Sequence, residues 1–283
     1  MLLRDVLSTA VDQLTVAHVG SPRMNAELLL MFTLSCDRAY LYAHPERELS
    51  AEEEHRYQDA VNQRTRGIPA QYITGHQEFW GMDLIVSPAV LIPRPETEHV
   101  IETVLRLARE SQGSSLRIVD VGTGSGCIAL ALARELAAAE IHATDVSAAA
   151  LEIARANTAR HQFEKRISFH ETDLLRGLAL GSLDLVVSNP PYVGESERDH
   201  VQLEVRKFEP RMAVFAGPTG AEVIERLIPQ ADAVLKAGGW LVIEISGTIV
   251  ESVERLLTGW ERVQITNDLQ GIPRVAAAQK PIP

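Results

Sequence analysis

The chain has 283 residues and is poor in several things, each of which excludes a class of protein. Two cysteines, Cys36 and Cys127, are too few for a disulfide framework, and neither has a His or Cys neighbour at metal-ligand spacing. Free intracellular thiols and no metal site are the expectation. No apolar run reaches the roughly 18–20 residues that span a bilayer. Met1-Leu2-Leu3-Arg4-Asp5 carries an acid too early for a signal or transit peptide. Positive charge is also scarce: the net charge of −11 argues against a protein that binds by neutralising many phosphates. Internal repeats and low-complexity tracts are missing. Aromatic residues make up only 5%, yet 46% of the chain is hydrophobic, enough for a sizeable core. A soluble, cytoplasmic protein of one large or two modest domains is expected, with no membrane partner and no general nucleic-acid binding.

Residues 1–75 read as a small helical bundle. Val6, Leu7, Ala10, Val11 and Leu14 recur at three- and four-residue spacing, an amphipathic pattern. A second helix opens at Asn25, a candidate cap, and Ser50-Ala51-Glu52-Glu53 is a capping-box signature for a third that runs toward Gly67. Residues 76–92 suggest a hairpin connector with two short strands around Gly81. Leu91-Ile92-Pro93-Arg94-Pro95-Glu96-Thr97-Glu98 then holds Arg94 between two prolines and starts a helix with acids near its positive end. Arg94 is a solvated loop residue on the plain reading, but one whose position is better fixed than usual.

From Leu116 onward strands and helices alternate, as an α/β protein with a mostly parallel sheet requires. Strands are expected at 116–121, 141–145, 167–170, 183–188, 240–245, 261–266 and 274–279, with helices at 127–136, 147–160, 221–237 and 249–257. No helix separates the last two strands, so they should form an antiparallel edge. Residues 93–283 would thus be one Rossmann-like domain.

Between the first strand and its helix lies Asp120-Val121-Gly122-Thr123-Gly124-Ser125-Gly126. Glycines at alternate positions let backbone approach a ligand closely. The third glycine comes two positions after the second, not three as in the dinucleotide fingerprint, and an acid opens the loop. This spacing suits a cofactor without a pyrophosphate whose cationic end is favoured by Asp120, and S-adenosylmethionine has such an end. The loop alone is also a plain tight turn. Asp145, at the end of the second strand, can accept from both ribose hydroxyls, and Asp173-Leu174, past the third, falls where an adenine edge would lie. The fourth strand ends at Asn189-Pro190-Pro191-Tyr192. Two successive prolines fix the backbone there, so the loop offers an amide, a carbonyl and a ring on a stiff support. An isolated Asn-Pro would be only a turn; beside the glycine loop it is a candidate grip for a planar nitrogen-bearing group.

These features resemble the amino-group methyltransferases that use S-adenosyl-L-methionine. The segment Leu91–Glu98 narrows the resemblance to the release factor glutamine methyltransferases, the HemK/PrmC family. Gln71-Tyr72-Ile73-Thr74-Gly75, Glu78-Phe79-Trp80-Gly81, Phe208-Glu209-Pro210-Arg211 and Asp268-Leu269-Gln270-Gly271-Ile272-Pro273-Arg274 carry it further. One departure is Glu244-Ile245-Ser246-Gly247, on what reads as the far strand of the sheet. The resemblance implies a class I methyltransferase fold and an acceptor glutamine in the Gly-Gly-Gln motif of class 1 release factors. The helical bundle would recognise that protein.

An amide nitrogen is a weak nucleophile because its lone pair is delocalised into the carbonyl. The Asn189 side-chain oxygen and the Pro190 carbonyl can each accept one of its N–H hydrogens and aim the lone pair at the methyl group. Tyr192 could stack on the amide plane, with Pro191 and Arg94 completing the acceptor side. Orientation is then the main catalytic contribution. The loop by itself does not distinguish glutamine from an adenine or guanine amino group.

Overall fold

The computed structural model describes residues 1–110 and 115–282. They divide into two compact units, Met1–His76 with Gln202–Phe208, and Gln77–Val201 with Glu209–Pro283.

The first unit contains α1 (Leu3–Val16), α2 (Pro22–Leu34), α3 (Arg38–Ala43), α4 (Ala51–Thr65), α5 (Ala70–Thr74) and the short helix Leu203–Phe208. Leu3, Val6, Ala10 and Leu14 form the buried face of α1 and pack with Leu29, Leu30, Tyr57 and Val61. At the start of α4 the Ser50 hydroxyl accepts from Glu53 N and the Glu53 carboxylate accepts from Ser50 N, the expected reciprocal cap. Replacing Ser50 by alanine should cost about 1 kcal/mol, read as a lower melting temperature with unchanged cofactor affinity. Asn25 is not a cap. Pro22 starts α2 one turn earlier, and Asn25 is buried, donating to Gly20 O at 2.8 Å and accepting from Arg64 Nε at 2.8 Å. Arg64 also pairs with Glu204 at 2.8 Å, joining the segment 202–208 to α4.

In the second unit, β1 (His76–Phe79) and β2 (Met82–Ile85) form the hairpin, with Trp80 and Gly81 both at positive φ. Two central residues of that kind match the twist of a tight hairpin. After α6 (Glu98–Glu110) come β3 (Arg117–Val121), α7 (Cys127–Glu135), β4 (Glu140–Asp145), α8 (Ala148–Arg160), β5 (Ile167–Glu171) and β6 (Leu183–Ser188). Then follow β7 (Val193–Gly194), β8 (Phe215–Gly217), β9 (Leu235–Glu244), β10 (Glu261–Asn267) and β11 (Pro273–Gln279), with helices Glu222–Val234 and Val250–Leu256 on either side of β9.

The main sheet has seven strands in the order β10-β11-β9-β6-β3-β4-β5. The five adjacent strands from β9 to β5 are parallel, and β11 and β10 close one edge antiparallel, as the missing helix between them required. Side chains alternate between faces: Ile118, Leu185, Val187 and Val242 meet α6 and α7, while Val119, Val186, Leu241 and Ile243 meet the helices after β8 and β9. The helix expected to reach Ala237 stops at Val234, and Leu235 already pairs with Leu183. A small parallel pair, β7 with β8, was not foreseen, since two- and three-residue strands carry no readable period.

The order of strands reverses at β3. From there the chain runs outward through β4 and β5, then returns to lay β6 on the other side. The carboxyl ends of β3 and β6 therefore open a crevice at a topological switch point. Among the described residues no helix is long and apolar enough to cross a membrane.

Candidate active site

A cavity of about 740 Å³ lies at that crevice, walled by Gly122–Ser125, Asp145–Ser147, Thr172–Leu174, Asn189 and Pro191, by Pro88–Leu91 and Pro93, and by Pro210, Met212, Ala213 and Phe215. Its size is within the range of small-molecule sites.

Gly122, Gly124 and Gly126 all have positive φ, 70°, 55° and 83°, so the alternate-glycine spacing is a backbone requirement. A Cβ on Gly122 would meet nothing within 4 Å, which leaves the loop open toward a ligand. A Cβ on Gly126 would lie 3.3 Å from Ala154 Cβ, so this glycine lets α7 and α8 pack closely instead. Gly122 N and Thr123 N both donate to Thr144 O, at 2.8 and 2.9 Å, and pin the loop to the end of β4. Asn157, buried on α8, donates to Ser125 O and to Ile85 O and accepts from Ile85 N, tying the loop to the hairpin.

Asp120 lies beneath the loop, fully buried, and is not part of the cavity wall. Its Oδ2 accepts from the Thr123 hydroxyl at 2.6 Å and from Ala129 N at 3.2 Å; its Oδ1 has no hydrogen-bond partner among the described residues. Burial pushes this carboxyl up to about 7. Asp145 lies in the wall and accepts from Gly124 N and Ser147 N, both at 2.9 Å, and burial raises its pKa as well. Asp173 and Leu174 line the far end, with Asp173 paired to Arg226.

The acceptor loop is held from behind. Asn189 Nδ2 donates to Thr97 Oγ1 at 3.0 Å, and that hydroxyl donates to Glu244 Oε2 at 2.6 Å. The Tyr192 hydroxyl donates to the other oxygen of Glu244 at 3.0 Å. Tyr192 does not line the cavity, so its ring is an anchor packed against the core on that face of the sheet and not a lid on an amide. Burial and the nearby Glu244 charge raise its hydroxyl pKa far above the ordinary tyrosine value. Pro190 is buried and also outside the wall. Arg94 does not face the cavity either. It is paired with the buried Glu209, which also accepts from Ile92 N at 3.1 Å. The pair clasps segment 91–94 to segment 209–211, two parts of the cavity wall.

Glu244 is thus not remote from the chemistry, because β9 lies directly beside β6 in the sheet. Thr97 and Glu244 were missed as site residues; their signals were the segment Leu91–Glu98 and the acid at the end of a strand. Gly220 supports the loop too. It has φ 92°, and a Cβ there would come within 2.5 Å of Tyr192 O. Gly220→Ala should cost at least about 2 kcal/mol and weaken the acceptor more than the cofactor, checked by melting and by separate Kd measurements.

The donor set fits S-adenosylmethionine: open glycine backbone, an unpartnered buried carboxylate oxygen behind it, a carboxylate at the end of β4 and the apolar Val146 and Leu174 beyond. Sheet order and crevice define a class I S-adenosylmethionine-dependent methyltransferase. Residues 5–75 match the PrmC N-terminal domain and residues 102–207 the methyltransferase small domain. The release factor glutamine methyltransferase of Koribacter versatilis is 52% identical over 283 residues, covering 99% of each chain. That of Nitratidesulfovibrio vulgaris is 40% identical, covering 98% of this chain and 95% of that one. The hMettl16 catalytic domain in complex with MAT2A 3'UTR hairpin 6 shares the fold at TM-score 0.57 and 18% identity, over 80% of this chain and 81% of that one. The chain belongs to the release factor glutamine methyltransferase family.

Proposed function

We propose that this protein moves a methyl group from S-adenosylmethionine to the side-chain amide nitrogen of the Gly-Gly-Gln glutamine in class 1 release factors, in the cytoplasm. The observation that carries this is Asn189, held at the cavity wall by Thr97 beside the glycine loop. The backbone of 122–126 and the charge of Asp120 would hold the amino-acid end of the cofactor. Asp145 would accept from its ribose hydroxyls, and Asp173, Leu174 and Val146 would flank its adenine. Bound there, the cofactor supplies an electrophilic methyl on a sulfonium centre. Asn189 Oδ1, at the cavity wall, would accept one amide hydrogen and the Pro190 carbonyl, between the wall residues Asn189 and Pro191, the other, which aims the nitrogen at the methyl group. Near-attack orientation of this kind is worth about 7–11 kcal/mol at most. The methylated nitrogen is far more acidic than the amide, so no strong base is needed, in keeping with a loop that has no histidine.

The helical unit would bind the release factor. Met24, Leu28 and Phe32 lie at four-residue spacing along α2 and are 56%, 36% and 47% exposed, an apolar stripe on one helix face. The decisive assay incubates the protein with labelled cofactor, release factor, tRNA and DNA. Label should enter the release factor and disappear when its acceptor glutamine is replaced by alanine. Label on nucleic acid instead would overturn the proposal, and the scarcity of positive charge speaks against that outcome.

A further inference from the structure

We propose that the Thr97–Glu244 pair locks the Asn189 amide in one orientation and thereby makes the site select glutamine over glutamate. This rests on the amide-methylation reading and adds two positioning residues to it.

The orientation follows from counting protons. Thr97 Oγ1 lies 2.6 Å from Glu244 Oε2 and 3.0 Å from the Asn189 amide. A hydroxyl has one proton and an ionised carboxylate has none, so the Thr97 proton goes to Glu244. Only a lone pair then faces Asn189, which must present its N–H to Thr97. Its Oδ1 is left for the cavity and can only accept. The Tyr192 hydroxyl donates to the second oxygen of Glu244 at 3.0 Å, so that carboxylate is held as an acceptor from both sides. Thr97 and Glu244 are each 1% exposed, so their hydrogen bonds are made to each other and to Asn189 and Tyr192 within the protein.

A fixed acceptor fits the two N–H hydrogens of glutamine. Glutamate has the same shape but offers only oxygen lone pairs and a charge, so two acceptors would face each other. An asparagine free to turn would simply offer its N–H to glutamate and lose this selectivity. Rejection by an unpaired buried polar group is the strong kind of discrimination. It is supplied here by Thr97, at the cavity wall behind Asn189, and by Glu244, which lies outside the wall.

The lock also has a proton dependence. Glu244 is faced by Thr97 and Glu96 on the turn after Arg94, by Tyr192 after β6, by Arg274 on β11 and by Cys127 at the start of α7. Burial outweighs the donors and raises its carboxyl to about 6. Once protonated, Glu244 can donate to Thr97, whose hydroxyl then turns toward Asn189 and reverses the amide. Selectivity should therefore decline as pH falls through about 6.

The test measures binding of two intact release factors, one with the acceptor glutamine and one with glutamate in its place, by calorimetry at pH 8 and again below pH 6, where the wild-type preference should shrink. The protein is saturated with S-adenosylhomocysteine, so no turnover is involved. The wild type should favour the glutamine form by roughly 10–100-fold, the size of an unpaired buried polar group. Thr97→Val should reduce that ratio to within about threefold, and Thr97→Ser should restore it. Glu244→Gln, which can face Thr97 with either end of its amide, should also flatten the ratio and remove its change with pH. A wild type without preference, a Thr97→Val protein that keeps the wild-type ratio, or one that loses both forms equally would each overturn the lock. Failure of the amide-methylation reading is separate: it would show as no label transferred from cofactor to the glutamine form by the wild type.

Discussion

Asn189→Ala is expected to lower kcat for methylation of the release factor by roughly 10²–10³-fold, the loss seen when one preorganised polar contact to a reacting group is removed. On the proposed function Asn189 Oδ1 and the Pro190 carbonyl accept the two amide hydrogens, and alanine removes the first. What remains is a nitrogen held at one hydrogen, free to swing its lone pair off the line of attack. Cofactor affinity should fall much less, because the glycine loop and Asp145 are anchored through Thr144 and Ser147 and not through Asn189. The fold should survive, since the substitution leaves only the Thr97 lone pair facing it unsatisfied while Thr97 keeps its bond to Glu244. Initial rates with labelled cofactor, cofactor Kd and melting temperature check the three parts. A kcat within tenfold of the wild type would sink the assignment of Asn189 as the acceptor grip.

The second large effect concerns Asp120. Its carboxyl is fully buried, one oxygen lacks a partner among the described residues, and its pKa stands at about 7 against an ordinary 3.8. A carboxyl raised on folding contributes stability that is complete below the unfolded pKa and is lost as pH rises through the folded one. The wild type should therefore lose stability between about pH 4 and pH 7 on account of this group, by up to about 4 kcal/mol. Asp120→Asn keeps the acceptor for Thr123 and Ala129 and carries no charge. It should melt higher than the wild type at pH 8, and the advantage should disappear near pH 4. The same variant should bind S-adenosylmethionine about 10–100-fold more weakly, because a hydrogen bond or attraction to a charged group is worth about 1.5–3 kcal/mol. A melting advantage that does not grow with pH would refute the buried-charge account. Undiminished cofactor affinity would refute the role of Asp120 behind the loop.

The parts of the site that could be read in the sequence are those encoded within a few residues. Gly122, Gly124 and Gly126 announce a backbone requirement at fixed spacing, and Asp145 and Asn189 sit where buried strands end. The strand pattern in turn fixed the parallel sheet and its antiparallel edge. What stayed hidden depends on strand order and on distant pairs. Asn189 to Thr97 spans 92 positions and Thr97 to Glu244 spans 147, so no local pattern joins them. Glu244 looked peripheral because β9 comes late in the chain, although it lies next to β6. Tyr192 was expected to face the substrate because it follows the prolines; the hydroxyl found a buried carboxylate instead. Arg94 likewise pairs with Glu209, and the cap signal of Asn25 is overridden because Pro22 starts the helix first.

The two prolines after Asn189, clamped by Gly220 against the Tyr192 carbonyl, have a calorimetric consequence. Conformational entropy at this loop is lost when the chain folds, not when the acceptor arrives. Acceptor binding should then show little ordering entropy from Asn189–Tyr192, and its heat-capacity change should scale with the apolar surface buried by the incoming segment alone.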